Sequence, residues 1–583
     1  MKKILSGIEI TCQEGQKVEL LQVTRTEDGI SVYTFHLSWT SCNVEKDDTF
    51  LFEWTYPIKQ GLYKWTPIRH QNRFLPPFWF ADEISMISHG APVCSHYDGN
   101  GMNHYTWASS ECKKTIFYNS GVIEDDGNLL NRFRLPVKQY TNQLETVISI
   151  YTDTRGIPFR KSISDIAFWW DRTIGMKPIA PPADAYEPVY SFWYSYHQEI
   201  SAEIVEQECR RAKELGMDIC IVDDGWQTDN NCRGYAYCGD WEPTMKKFPN
   251  MRQHVDHVHD MGMKYILWFS VPFLGEYVKT YPVFRDKFLR WNSNVHYGVI
   301  DPRYREVREF LVNIYKKALI EWDLDGFKLD FIDEWRQEEN NAPYNPKMDI
   351  PVLTDAVDVF MTDVISTLQE IKPEVLIEFR QNYIGPNMRK YGNLFRVNDC
   401  PYDYTKNRVG VLDLRMLVQN SAVHSDMLMW NEKIEPEMAA VQIINVMFGV
   451  LQYSARLEHM TEKHIMMSKF WISFLKEHRE LLLKGELSAY DAHFLYTWAK
   501  SVKDNECVVA VFINEKCVHP DCKDIIYIAN GSVTERVLVD LIGEYLVTFK
   551  DCFGNETSTK QIGFSGIEEL VIPIGGLAIL NKR

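Results

Sequence analysis

Asp325-Gly326-Phe327-Lys328-Leu329-Asp330-Phe331-Ile332-Asp333 follows an amphipathic run from Arg305 to Trp322. Its short apolar character predicts a buried strand after a helix. Alternation along a strand puts Lys328 and Asp330 on one face. Charges are seldom buried without a partner or a task. A lysine sharing a pocket with Asp330 keeps that carboxylate ionised at neutral pH. Two readings compete: a structural ion pair at a strand end, or a positioned carboxylate nucleophile of the kind that cleaves glycosidic bonds.

The sequence on either side repeats the strand–helix rhythm. Val189-Tyr-Ser-Phe-Trp-Tyr predicts a strand, Ser201 to Leu215 a helix, and Asp218-Ile-Cys-Ile-Val-Asp-Asp a second strand. A helix near His254 to Met261 and the strand Lys264-Tyr-Ile-Leu-Trp-Phe follow. After residue 333 come a helix over Val352 to Ile371 and strands at Val375-Leu-Ile-Glu-Phe, Leu394-Phe-Arg-Val and Ala422 to Met427. About eight strands alternating with helices predict a (β/α)8 TIM barrel over residues 181–480. No glycine-rich phosphate loop follows any strand, which argues against a nucleotide-binding doubly wound sheet.

Residues 1–180 read as β-rich, with alternating runs such as Gly29-Ile-Ser-Val-Tyr-Thr-Phe-His-Leu and no long helical period, and predict a large antiparallel N-terminal sandwich. Residues 481–583 read as a C-terminal antiparallel β-sandwich, with strands predicted at Phe494 to Trp498, Cys507 to Ile513, Asp524 to Ile528, Arg536 to Val539, Glu544 to Phe549 and Leu570 to Ile574. With 583 residues, several domains are expected.

Composition narrows the partners. A formal charge of −17 argues against nucleic acid or an anionic membrane, and no run reaches transmembrane length. Aromatic residues reach 13%, suited to stacking on sugar C–H faces as well as to large cores. Glu9 interrupts any signal-like apolar segment, so a cytoplasmic location is expected. The 13 cysteines are scattered; neither Cys232/Cys238 nor Cys517/Cys522 has further ligands at zinc spacing, so neither metal nor cofactor is expected.

Barrel active sites lie at the C-terminal ends of the strands. There the sequence places Trp193, Tyr194 and His197; Asp223-Asp224-Gly225-Trp226-Gln227; Trp268; Lys328 and Asp330; Glu378, Arg380 and Gln381; Arg396, Asn398 and Asp399; and, assigned to the eighth strand, His424 and Asp426. Asp330 is the expected nucleophile. A second carboxyl, its pKa raised by burial, is needed as acid and then base; Asp399 is assigned, with Asp403 in reserve. Asp223 and Asp224 are expected to accept hydrogen bonds from sugar hydroxyls, the competing reading being a turn cap on Gly225.

These residues resemble glycoside hydrolase family 36, the α-galactosidase and raffinose-synthase group, across the whole three-part layout of N-terminal β-supersandwich, catalytic barrel and C-terminal β-sandwich. The most specific elements are Asp223-Asp224-Gly225-Trp226, Gly239-Asp240-Trp241, Lys247-Phe248-Pro249 and Lys328-Leu329-Asp330-Phe331. The resemblance implies Asp330 as nucleophile, Asp399 as acid/base with Arg396 beside it, Lys328 on sugar hydroxyls, Asp223 and Asp224 on the O4/O6 side of galactose, and Trp193 and Trp268 facing the sugar. Many relatives carry a Cys-x-Gly-Gly-Gly segment after the fifth strand; here Glu378-Phe379-Arg380-Gln381-Asn382 stands there, and Arg380 is expected to reshape the 2-position pocket. The expected activity is retaining exo-hydrolysis of terminal α-galactosyl groups from an oligosaccharide or galactoside, and the resemblance leaves a homo-oligomer open. Transglycosylation, a β-L-arabinopyranoside or α-N-acetylgalactosaminide substrate, and a silent sugar-binding scaffold are the alternatives.

Overall fold

The computed structural model describes residues 1–40, 48–69, 71–140, 143–521 and 523–583. Cys522 therefore lies outside the described residues. Eight parallel strands form the central sheet: β1 (Val189–Ser191), β2 (Ile219–Val222), β3 (Lys264–Ser270), β4 (Gly326–Asp330), β5 (Leu376–Arg380), β6 (Leu394–Arg396), β7 (Ala422–His424) and β8 (Gln452–Tyr453). They pair in sequence order, and β8 pairs with β1. Parallel bridges His424–Val450 and Leu428–Tyr453 close the ring between β7 and β8.

Local chemistry sets the helices between them. Ser201 Oγ accepts from the Ile204 amide (3.3 Å) to start Ala202–Glu214, and Asn250 Oδ1 accepts from Gln253 (3.1 Å) to start Met251–Asp260. Arg305–Trp322 and Leu353–Ile371 flank β4. β4 must begin with glycine: a Cβ at Gly326 would stand 2.2 Å from the Leu376 carbonyl oxygen of β5.

The barrel interior is layered. At the base, Val189, Ile219, Ile221, Ile266, Leu376, Leu394 and Ala422 form an apolar plug. Two residues further along each strand, on the same face, stand Lys328, Glu378, Arg396 and His424. Apolar packing at one end thus hands over to buried charge at the other.

The N-terminal domain is two six-stranded antiparallel sheets over residues 2–153. It docks on the barrel through the buried Arg73–Asp413 ion pair (2.6 Å) and through the Gly90 amide, which donates to the Asn382 carbonyl (2.8 Å) just beyond β5. The C-terminal domain is one long-path sheet dominated by the hairpin of Arg536–Lys550 with Glu556–Val571. It is antiparallel except where Glu506–Val511 meets Ile525–Asn530 and where Cys517–Val518 meets Leu538–Val539. Among the described residues, no helix is long and apolar enough to cross a membrane.

Four expectations need correction. Residues 1–180 do contain a long helix, Phe159–Thr173, whose buried Phe159, Ile163, Ile166, Ala167 and Trp170 follow a helical period obscured by the surrounding strand pattern. Ala422–His424, with His424 and Asp426 at its end, is the seventh strand and not the eighth; Gln452–Tyr453 is the eighth, and two residues are too few to carry a period. The predicted strand at Phe494 is a short 3-10 turn, Ala492–Phe494, before the strand Trp498–Lys503. The two strands predicted between 536 and 549 are one, running through Gly543 at φ 130°.

Asp325 anchors the entry to β4. It accepts from the Tyr265 amide (2.9 Å) and meets His259 Nε2 (2.7 Å) and Lys264 Nζ (3.3 Å). Burial opposes its charge, yet the hydrogen bonds from His259 and Tyr265 and the charges of Lys372 and Lys264 hold its pKa down at about 2. A carboxyl depressed on folding contributes stability above its unfolded pKa and loses it as pH falls through the folded value. Asp325→Asn should cost about 2 kcal/mol at pH 7, converting the shift at 1.36 kcal/mol per unit. In urea melts, the gap between variant and wild type should narrow from pH 4 towards pH 2; a gap independent of pH would refute the ionic account.

Candidate active site

The strand ends gather the sequence-predicted residues at one mouth. Asp330 ends β4 and is buried. Its Oδ1 accepts from Arg380 Nε (2.7 Å), Tyr383 Oη (2.8 Å) and the Phe331 amide (2.8 Å); its Oδ2 accepts from Trp268 Nε1 (3.0 Å). Burial pushes this carboxyl up, but the charges of Arg380 and Lys328 and the donors from Trp268 and Arg380 outweigh it and hold it well below the usual carboxylate range.

The expected direct partner of Asp330 was Lys328, and here the structure differs. Lys328 shares the face but turns to Asp223, Nζ to Oδ2 at 2.5 Å, leaving Arg380 as the close cation of Asp330. The reason is register: Lys328 sits one pleat below Asp330, and Asp223 projects from the end of β2 into that level, whereas Arg380 ends β5. The Arg380 guanidinium also lies over the Phe331 ring at 5.2 Å and the Tyr383 ring at 5.6 Å, which fixes its plane.

Asp224 sits beside Asp223 after β2. Its Oδ1 accepts from Gln227 Nε2 (2.7 Å) and its Oδ2 from Gln198 Nε2 (2.7 Å); burial still pushes the carboxyl up to about 6. The turn-cap reading for these aspartates fails at Gly225, whose amide donates to Gln227 Oε1 (3.0 Å). Glycine is required there: φ is 117°, and a Cβ would stand 2.6 Å from Gln198 Cα. Lys247 Nζ locks the loop from beneath by donating to the carbonyls of Gln198 (2.7 Å) and Gly225 (2.8 Å).

Trp268 is buried in β3, its indole N–H spent on Asp330. Trp193 opens the short helix Trp193–Tyr196 after β1, half-buried, its ring edge-to-face with His197 at 4.9 Å. Arg396 is fully buried and bonded to Asp426 and, through Nη2, to Asp399 Oδ1 (2.9 Å), with Glu378 Oε1 at 3.5 Å from Nε. Asp426 also accepts from Tyr194 Oη (2.9 Å) and the Cys400 amide (2.7 Å).

Asp399 departs from its expected electrostatics. Its side chain is 49% exposed, and although burial raises its pKa, Arg396, Arg380 and Lys328 pull it below the ordinary value. Asp330 acts on it in the opposite sense, so the two carboxylates feel one another. Asp403, the reserve, is exposed and caps the helix Tyr404–Leu417 by accepting from the Lys406 amide (2.8 Å), a structural duty. Asp333, beyond β4, is raised to about 6 by burial.

Sequence reasoning missed Tyr383 and Gln198. Tyr383 lies three residues past the end of β5 and Gln198 two residues past the short helix Trp193–Tyr196, in loops where no period marks which side chain turns inward.

The class that this fold and site define is a (β/α)8 barrel with paired carboxylates at its mouth, the architecture of carbohydrate-active barrels. Residues 184–379 match the Melibiase family model. The chain is 29% identical over 150 residues to the α-galactosidase Mel36A of Lactobacillus acidophilus, covering 24% of this chain and 19% of that protein. It is 22% identical over 243 residues to α-galactosidase 2 of Pediococcus pentosaceus, covering 41% and 32%. These sequence matches thus span a fifth to a third of the curated relatives. The family 36 α-galactosidase AgaA of Geobacillus stearothermophilus superposes with TM-score 0.67 at 12% identity, covering 99% of this chain and 81% of that one. The α-galactosidase of Lactobacillus brevis gives 0.65 at 13%, covering 99% and 82%. The fold is that of glycoside hydrolase family 36, supersandwich, barrel and C-terminal sheet together.

Removing the Arg396 cation would strand Glu378 and Asp426 without their charge partner. Arg396→Leu should therefore lose about 3–5 kcal/mol of stability in urea denaturation. A loss below about 1 kcal/mol would mean those carboxyls are already protonated in the native state.

Proposed function

We propose that this chain is a retaining exo-α-galactosidase in which Asp330 attacks the anomeric carbon and Asp399 acts as acid and then base. The observation that carries the reading is the setting of Asp330: buried beside Arg380, which with Lys328 favours its ionised form, and held so that Oδ1 takes three donors while Oδ2 takes one. Oδ2 is the attacking atom. It forms the bond to the anomeric carbon as the glycosidic C–O bond breaks, and the leaving oxygen takes its proton from Asp399.

Arg396, Arg380 and Lys328 hold Asp399 toward its ionised form. A bound sugar covers its exposed side and excludes water, which favours the neutral acid, and the charge on Asp330 pushes in the same direction. Once Asp330 is esterified, that push disappears. Asp399 then becomes the stronger acid, its carboxylate accepts a proton from water, and the hydroxide equivalent releases the sugar with its configuration retained.

Asp223, Lys328 and Asp224 supply charged acceptors and a donor for the O4 and O6 hydroxyls, with Trp193 and Trp268 as apolar walls. Arg380, clamped on Asp330, occupies the ground beyond β5, which disfavours a 2-acetamido group. Crystal structures of Geobacillus stearothermophilus AgaA variants hold raffinose and stachyose, and the Thermus thermophilus α-galactosidase holds p-nitrophenyl α-D-galactopyranoside; both support terminal α-galactosyl groups as the substrate.

A panel of nitrophenyl glycosides tests this, with the α-galactoside expected to be turned over and Asp330→Ala nearly inactive but rescued by azide to a β-galactosyl azide. Cleavage of another glycoside in its place, or an active Asp330→Ala, overturns the reading. Asp399→Asn should lose about 10²–10⁴-fold on raffinose, whose leaving group needs a proton, and less on the nitrophenyl substrate. Arg380→Gln raises the pKa of Asp330, which must be ionised to attack, so the acidic limb of kcat/KM should move to higher pH. An unmoved limb would show that Arg380 does not set the nucleophile's charge.

A further inference from the structure

A cavity of about 980 Å³ opens at the end of the barrel opposite Asp330, where all three domains meet. Its lining includes Tyr186, three residues before β1, and Ser421, one residue before β7, so it lies at the N-terminal ends of the strands. The helix Phe159–Thr173 contributes Arg160, the barrel contributes Arg415, and the C-terminal domain contributes the strand Glu486–Tyr490.

The charges around it are unevenly satisfied. Lys161 is paired with Asp165 (2.5 Å), and Lys484 is paired with Glu480 (2.8 Å). Asp491 takes the Thr497 hydroxyl and has Lys516 at 3.9 Å, and Glu486 is exposed. Among the described residues, neither Arg160 nor Arg415 has a carboxylate within ion-pair distance. Arg160 Nη1 donates to the Leu412 carbonyl (3.0 Å), and its Nε is buried without a partner. Arg415 Nη1 donates to the carbonyls of Phe448 (2.7 Å) and Leu482 (3.1 Å).

Those carbonyls take Nη1 of each guanidinium, and among the described residues no side-chain acceptor reaches Nη2 of either. The two arginines also repel: burial first, and then the Arg160 charge, push the Arg415 pKa down to about 10. Two guanidiniums close enough to repel, partly removed from water and without a carboxylate partner, form a costly arrangement that a bound anion would relieve. Their planar forks match the oxygens of a tetrahedral oxyanion in a bidentate manner. The cavity is far larger than one phosphate group and falls in the range of small-molecule sites.

We infer that this three-domain junction binds a phosphate-bearing small anion between Arg160 and Arg415, at a site separate from the sugar-cleaving mouth. The bound anion bridges the helix of the N-terminal domain to the barrel, so binding stabilises the docked arrangement by mass action.

Isothermal titration calorimetry and thermal melts of the full chain test this at constant ionic strength, with inorganic phosphate and glucose 6-phosphate as probes and sodium chloride as the blank. One site per chain and a raised Tm are expected with the phosphate probes. Tighter binding of glucose 6-phosphate by tenfold or more marks the ester as the ligand; equal binding marks the free anion. Arg160→Gln, and separately Ser488→Glu, which places a carboxylate on the cavity wall from an edge strand, should each weaken binding at least tenfold. Heat and Tm shifts no larger than the chloride blank, or unchanged binding in both folded variants, overturn the proposal.

Discussion

A carboxylate that stays ionised out of water sets the terms for this structure. Asp330 alone in that position would take up a proton. It remains charged because donors reach it from three places: Trp268 on β3, Arg380 at the end of β5, and Tyr383 in the loop beyond. No single segment supplies them all. Parallel pairing brings β3, β4 and β5 side by side, and the apolar plug of Ile266, Leu376 and their neighbours packs beneath them.

Cations are fewer than carboxyls in the layer above the plug. Lys328, Arg380 and Arg396 face Asp223, Asp224, Asp330, Glu378, Asp399 and Asp426. The network resolves the deficit unevenly. Asp330 and Asp399 are held down, while Asp224, Glu378 and Asp426 are pushed up by burial. Burial and the placement of the three cations thus decide, carboxyl by carboxyl, which is held toward the ionised form and which is favoured neutral. The N-terminal domain takes part at a distance, since the Gly90 amide steadies Asn382 in the loop that also carries Tyr383.

Much of this was legible in residue order. The strand at Asp330, the helix over Arg305–Trp322, the helix ending at Ile371 and the Asp-Asp-Gly-Trp turn all carry local signals, because period, glycine and capping are properties of neighbours in sequence. The helix Phe159–Thr173 was equally local and was hidden only by the strand-rich segment around it. The two-residue β8 left no period to find.

What residue order determined by itself was the alternation of strands and helices, the face shared by Lys328 and Asp330, and the carboxylates and guanidiniums gathered at strand ends, since each follows from periodicity. Which cation holds which carboxylate was decided by the tertiary structure. Lys328 belongs to Asp223 and Arg380 to Asp330 because barrel closure, strand stagger and loop path set distances between residues 50 to 105 positions apart. The exposure of Asp399, the capping duty of Asp403 and the two arginines that meet no carboxylate among the described residues are settled in the same way, by packing between elements that the chain brings together only once it has folded.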